Sequence, residues 1–335
     1  MLIKAARFLS RSAVILLLLC IISFASVYVW HDNMMTAAGP HQDDVLVIIS
    51  PGSGHNAVRH VLKRAGVIHQ VYHYDVARIF AGETFSPKAG EFLLPAKSNL
   101  KKIFSIIHEG RNHQRRLTIV EGLRSADVLK LITAMPNLTG SVKSMPDEGS
   151  LRPETYFYIH ATPRQALIKR MQESRALALA EAWSKRAKDL PYDSPYHALI
   201  MASIIEKEAS AEDDRRLVAA VLVNRLKKGM RLQSDPTVLY EAFESPPKPP
   251  RITKTDLKTY TPWNTYVITG LPKTPICNPG QESIMAALHP AKSDYVYFVS
   301  DGEGGLRFAK TLDAHNRNVR LFRQYKAAVE KGRGK

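Results

Sequence analysis

The chain has 335 residues, 45% apolar and 23% charged, an ordinary globular composition and enough length for about two domains. Its net charge of +16 is not ordinary and points to an anionic partner: nucleic acid, a membrane surface or an acidic polymer. Of two cysteines, Cys20 lies in an N-terminal apolar run and only Cys277 lies beyond it, which excludes an intramolecular disulfide in the rest of the chain.

Lys4, Arg7 and Arg11 precede that run, which extends from Ala13 to Trp30 and has about the length that crosses a hydrocarbon core as a helix. Tyr28 and Trp30 stand at its far end, where an aromatic belt would place them. The basic residues keep positions 1–12 in the cytoplasm and send the chain beyond Trp30 to the other side of the membrane. A cleaved signal peptide is the rival reading, with Thr36-Ala37-Ala38-Gly39 resembling a cleavage site, but the run is long for a signal peptide. A retained single-pass anchor (13–30) is the preferred reading. Export disfavours nucleic acid as the partner and leaves membrane headgroups and cell-wall polymer.

Residues 31–44 read as a linker. Val45–Ile49 is a strand signal closed by Pro51-Gly52-Ser53-Gly54. Helices are expected over His55 to Arg64 and Val71 to Phe80. A returning strand comes next at Lys88 to Leu94, and then a helix capped by Ser98 and running through His108. This unit, 45–114, has the order strand, helix, helix, strand, helix. A second start lies at Leu117–Val120, followed by helices at Ser125 to about Met135, within Pro163 to Lys188, and from about Tyr196 to Ala209. Ser210 with Asp213 reads as a capping box for a helix over about Glu212 to Lys228. Gln233 to Tyr240 reads as a loop, and Glu244 to Arg251 is too proline-rich for regular structure. Tyr295–Val299 and Leu306–Phe308 form a hairpin, and a helix covers about Asp313 to Val329. The fold class is α+β.

The helix near Tyr196 carries the most informative pattern. Leu199, Ile200, Met201, Ile204 and Ile205 form a broad apolar stripe at helical spacing. Glu208 falls near its middle, while Glu206 points the other way. A carboxyl among apolar side chains has a raised pKa, as a general acid for a glycosidic leaving group requires. A helix-end carboxylate that reaches water or an arginine is the plainer alternative. Downstream, Gln233, Asp235, Thr237, Asn264, Thr265, Tyr266, Asn278 and His289 lie in segments that interleave aromatics with amides, hydroxyls and acids, the chemistry that holds sugar rings. No cofactor is implied. The spacing of His69 with His73 and of His55 with His60 lacks the further ligands that a metal site needs. Ser203 has no nucleophile elbow around it.

The segments Ala202-Ser-Ile-Ile-Glu-Lys-Glu208, Val223-Asn-Arg-Leu226, Met230-Arg-Leu-Gln-Ser-Asp-Pro-Thr-Val238, Asn264-Thr-Tyr-Val-Ile-Thr-Gly-Leu-Pro272 and His289-Pro-Ala-Lys292 closely resemble the YceG-like family of endolytic murein transglycosylases, the MltG proteins. The resemblance covers nearly the whole chain. It implies a cytoplasmic start and one span in the inner (plasma) membrane. A LysM-like module over 45–114 and an extracytoplasmic catalytic domain over 115–335 would come after the span. It also implies that Glu208 is catalytic. The implied reaction cuts the MurNAc-β-1,4-GlcNAc bond of nascent peptidoglycan strands and leaves 1,6-anhydro ends, with cell-wall synthases as expected partners. Asp235, the other acid in a matching motif, takes a binding or orienting role. The chain departs from the common family pattern at Glu154, where Asp is usual, and at Trp263, where Tyr is frequent. A non-catalytic murein-binding scaffold and a hydrolysing muramidase are the competing readings.

Overall fold

The computed structural model describes residues 2–81, 85–209, 212–242 and 252–332. The expected capping box at Ser210 and the proline-rich segment Glu244 to Arg251 lie outside the described residues. The chain divides into two compact units, Met1–Arg115 and Arg116–Lys335.

In the first unit, α1 (Leu2–Thr36) contains one stretch, Ser12–Thr36, long and apolar enough to cross a membrane. Strand β1 (Val45–Ile49) pairs antiparallel with β2 (Gly90–Leu94), Val45 opposite Leu94 and Ile49 opposite Gly90. Val47 and Ile49 are buried, whereas Leu46 and Ile48 are exposed, the alternation of a half-covered sheet. Helices α2 (His55–Arg64), α3 (Val71–Ala81) and α4 (Leu100–Glu109) supply Val58, Leu62, Tyr74, Ile103 and Ile107 to the core. Asn99, not Ser98, caps α4: its side chain accepts from Lys102 N at 2.9 Å, while the Ser98 hydroxyl donates to Pro95 O at 2.6 Å. Two hydroxyl or amide residues in a row offer equivalent caps, and the turn at Pro95 decides between them. Glu91 is buried on β2 and is neutralised by two hydrogen bonds from Arg115, at 2.7 and 2.9 Å, as a buried carboxylate requires.

The second unit opens with β3 (Arg115–Thr118), α5 (Ser125–Ala134), β4 (Leu138–Thr139), β5 (Thr155–Tyr158), β6 (Thr162–Pro163) and α6 (Arg164–Ser184). Strand β3 neighbours β5, and β4 runs parallel to β6. Their core gathers Leu117, Ile119, Val128, Ile132, Leu151 and Met171. A second core is built on α7 (Pro195–Glu208), packed against α6, α8 (Glu212–Lys227), α9 (Asp235–Ala242) and α10 (Gln281–Leu288). The hairpin of β7 (Tyr297–Ser300) and β8 (Leu306–Ala309) and the final helix α11 (Leu312–Gly332) complete it.

Further sequence expectations fail here. Residues 31–36, read as the start of a linker, continue α1 to Thr36. The segment from Gln233 to Tyr240 is not all loop, since α9 begins at Asp235; Pro236 is tolerated because the first helical turn has no use for its missing N–H. Helix α10 was not anticipated. Its eight residues lie between Pro279-Gly280 and His289-Pro290, which locally read as turns, and burial of Ile284, Ala287 and Leu288 against α7 supplies what local propensity does not.

Candidate active site

Helix α7 starts where Ser194 accepts a hydrogen bond from His197 N at 3.2 Å and Pro195 occupies the first turn, a favoured pairing of cap and first helical residue. Every residue from Ala198 to Ile205 is buried. The helix is therefore the centre of the domain and not a surface element with one apolar stripe. Buried Ser203 survives inside it by donating to Ile200 O at 2.7 Å and accepting from Ile276 N at 3.0 Å. Glu208 closes the helix, half-buried. Burial pushes its carboxyl up to about 7, with Asp235 raising it further and Ser234 and Arg225 drawing it back. A carboxyl poised there can both deliver and retrieve a proton near neutral pH.

Three residues build the immediate surroundings. Ser234 stands just before α9, where a helix cap would stand, but its hydroxyl donates to Glu208 Oε1 at 2.6 Å. Its own N–H donates to Thr265 Oγ1 at 2.9 Å, and its carbonyl accepts from Thr237 Oγ1 at 2.6 Å. Thr237 and Thr265 share a further hydrogen bond of 2.8 Å. Arg225, on α8, is buried and gives its guanidinium to Val296 O at 2.7 Å, Leu232 O at 2.8 Å and Gln233 Oε1 at 3.3 Å. Burial lowers its pKa, its guanidinium lies over the Tyr297 ring at 5.2 Å from the centroid, and its charge interacts with Tyr266 and Glu208. Asp235, exposed, accepts from Tyr266 OH at 2.6 Å; burial and that carboxylate raise the Tyr266 phenol.

The structure separates the candidate binding residues into two groups. Gln233, Asp235, Thr237, Thr265 and Tyr266 come together around Ser234. Gln233 is exposed with φ of 51°, a left-handed conformation uncommon for a side-chain-bearing residue, and its N–H is held by Thr265 O at 3.1 Å. Asn264 is fully buried and donates to Asp256 O at 2.9 Å and Thr259 O at 2.7 Å, so it holds its loop from inside. Asn278 is also fully buried: it accepts from Leu151 N at 2.8 Å and donates to Leu123 O at 3.0 Å and Ser125 Oγ at 3.2 Å. Neither amide has a hydrogen left to offer a ligand. His289 follows α10 in a groove of about 920 Å³ lined by Arg215, Arg216, Glu282, Met285 and Lys292, and Glu208 does not line that groove. Ser234 and Arg225 were absent from the sequence-derived candidates. Ser234 had a local signal, a hydroxyl immediately before Asp-Pro; Arg225 had none beyond its place in a recognised motif.

Glu206 is not the solvent-facing residue that the single-stripe reading expects. It is half-buried, and its Oε2 accepts from Gly280 N at 2.9 Å. The Glu121 carboxylate lies against the open side of Gly280, where a Cβ would displace it. Burial raises the Glu121 carboxyl, and the Glu206 charge raises it further.

The profile of the YceG-like family matches residues 47–321. The chain belongs to the YceG-like family. It is 43% identical over 173 residues to an endolytic murein transglycosylase of Bacillus subtilis strain 168, a match covering 51% of this chain and 47% of the relative. It is 32% identical over 176 residues to the endolytic murein transglycosylase of Streptococcus pneumoniae serotype 2 strain D39, covering 51% of this chain and 31% of that one. The chain thus spans less than half the length of these curated relatives. A crystal structure of a yceG-like protein from Listeria monocytogenes superposes with a TM-score of 0.51 at 32% identity, covering 82% of this chain and 98% of that one.

Residues further away support the site. Glu148 accepts from Ser125 N at 2.8 Å, at the start of α5, and from Tyr240 OH at 3.0 Å, tying α9 to α5; a carboxylate at a helix N-terminus is favourable. Gly149, with φ of 81°, sits where a Cβ would press on Pro275. Trp263 donates to Thr274 Oγ1 at 2.8 Å and lies 5.5 Å from Tyr240, ring to ring. Asn224 gives its amide to Ser293 O and Tyr295 O at 2.8 and 3.0 Å, fixing the approach to β7. Glu154, the longer acid of its motif, reaches Arg152 at 3.7 Å.

Proposed function

We propose that the second unit is an endolytic lytic transglycosylase of murein, with Glu208 as its acid and then its base. The observation that carries this is a half-buried carboxyl held near neutrality by burial at the end of the central helix. The names of the relatives support the substrate. Protonated Glu208 gives its proton to the glycosidic oxygen as the MurNAc C1–O bond breaks. The MurNAc 6-hydroxyl closes on C1, and the Glu208 carboxylate takes its proton. The nucleophile is part of the substrate, so one carboxyl suffices where a hydrolase uses two. The acid coupled most directly to Glu208 is Asp235, which is engaged by Tyr266 and serves as an orienting group. Gln233 and Tyr266 would face the glycan, with the fully buried Thr237 and Thr265 behind them.

The chain would be held by α1 as a retained span with its N-terminus in the cytoplasm, so that both units face the cell wall. The first unit would be the LysM-like module, and the cell-wall synthases that make the strand would be partners. Purified murein digested with wild-type protein should release muropeptides ending in 1,6-anhydro-MurNAc, and Glu208→Gln should fold and release none. Products one water heavier would mean a hydrolase. Retention on murein with no soluble product from wild type would mean a scaffold.

A further inference from the structure

Helix α3 has two apolar faces, and the first unit covers only one. Tyr74 and Ala77 are fully buried. At about 100° per residue, Tyr72, Val76, Ile79 and Phe80 fall within an arc of about 100° on the other side. There Tyr72 is 51% exposed, Ile79 68% and Phe80 52%, with α1 already in place. Contiguous open apolar surface of this kind marks an interaction site.

The neighbouring helix indicates the occupant. The Phe80 ring stacks on His31 of α1, centroids 3.9 Å apart and planes 29° from parallel. Counted from Ser12, the start of the apolar stretch, a hydrocarbon core of about 30 Å takes about 20 residues at 1.5 Å each. It therefore ends near His31. The ring stack holds the C-terminal end of α3 at the level where the span leaves the bilayer. The polar residues of the helix do not oppose contact with lipid. Asp75 is paired with Arg59 at 2.6 Å, and Arg78, exposed, falls on the far side of the helix from the apolar face, where it stays in water.

We propose that α3 is an interfacial helix whose Tyr72–Ile79–Phe80 face lies in the headgroup–acyl boundary of the leaflet through which α1 exits. An amphipathic helix binds there through its apolar face. A tyrosine suits that boundary because its ring is apolar and its hydroxyl stays wet. The first unit is thereby attached to the bilayer at two points, the span and this face. The inference rests on the reading of α1 as a retained span.

The test uses the full chain with Cys20→Ser, so that a spin label introduced at Tyr72→Cys or Ile79→Cys is not confused with one in the span; Cys277 is buried. The protein is reconstituted into vesicles of phosphatidylethanolamine and phosphatidylglycerol and washed with carbonate. The expected result is a positive depth parameter at both positions, with oxygen accessibility exceeding that of an aqueous nickel chelate. Labels more accessible to the nickel chelate, on protein that stays in the vesicles, overturn the proposal and leave a protein partner for this face. Protein that washes off overturns the reading of α1 as a span, and the proposal with it.

Discussion

Replacing Ser234 by alanine isolates one contribution to the Glu208 proton. The hydroxyl donates to Oε1 at 2.6 Å from a buried position, so it stabilises the ionised carboxylate and opposes the burial that raises the carboxyl to about 7. A hydrogen bond to a charged group contributes about 1.5–3 kcal/mol, and one pH unit corresponds to about 1.4 kcal/mol. Glu208 is only half-buried, so the lower end applies, and the carboxyl should titrate about 1 pH unit higher in Ser234→Ala. The starting enzyme of the proposed reaction needs Glu208 protonated, because the carboxylate that later acts as base is produced by the first proton transfer. Activity of the wild type should therefore fall as pH rises through about 7. In Ser234→Ala that fall should move about 1 pH unit upward, and Ser234→Thr should restore it. The assay is release of anhydro-muropeptides from murein from about pH 5 to about pH 9, which brackets about 7 by roughly two units on each side. An alkaline limb that does not move, or moves downward, refutes the claim that this hydroxyl tunes the proton.

Other consequences are separable from catalysis. The folded-state pKa of Glu208 lies above the carboxylate reference of 4.5, so the folded protein binds the extra proton between about 4.5 and 7, and stability is lost as pH rises through that window, by up to about 3 kcal/mol. Glu208→Gln removes this penalty, and its Tm should exceed that of the wild type at pH 8 but not at pH 4.5; equal differences at both would show that the carboxyl is not perturbed. Asn278→Ala leaves Leu151 N buried without its side-chain partner, while Leu123 O keeps the Asn278 backbone N–H, and should lower stability by about 2 kcal/mol in denaturant unfolding, whereas Gln233→Ala, at an exposed site, should shift it by less than about 1 kcal/mol. Glu206→Gln should keep most of the turnover, because Glu206 is bonded to Gly280 N and not to the Glu208–Ser234 pair; loss equal to that of Glu208→Gln would place Glu206 in the chemistry. Tyr266→Phe frees Asp235 from a 2.6 Å hydrogen bond and should raise KM for glycan more than it lowers kcat, measured with purified uncrosslinked strands.

The residues of α7 show how far sequence periodicity reaches. Its helical phase is a local property, so the apolar side of Glu208 was legible before any tertiary contact was known. What the phase could not convey is that the helix has neighbours on every side. Glu206 therefore points not to water but to Gly280, brought alongside by a loop 74 residues away. The first unit was similarly legible, since each of its elements is set by alternation or by turns within a few residues of itself. Helix α10 was not, because its formation depends on burial against α7.

The polar residues mark the limit most clearly. In sequence, Asn264, Asn278, Thr265 and Tyr266 are alike: hydrogen-bonding side chains in turn-rich segments suited to a sugar. In the folded chain, the two asparagines spend their amide hydrogens inside the protein, Asn264 on two backbone carbonyls and Asn278 on one carbonyl and the Ser125 hydroxyl, while Tyr266 reaches Asp235 at the surface. A side chain's donors are the same whether they meet a ligand or the protein's own backbone, and only the chain's path through space decides which. By itself the sequence determined the basic charge, the apolar N-terminal run, the phase of Glu208 and the family. The tertiary structure alone decided that Ser234, 26 residues further along the chain, is the group that holds that carboxyl, because hydrogen bonds form between atoms brought within about 3 Å and not between positions along a chain.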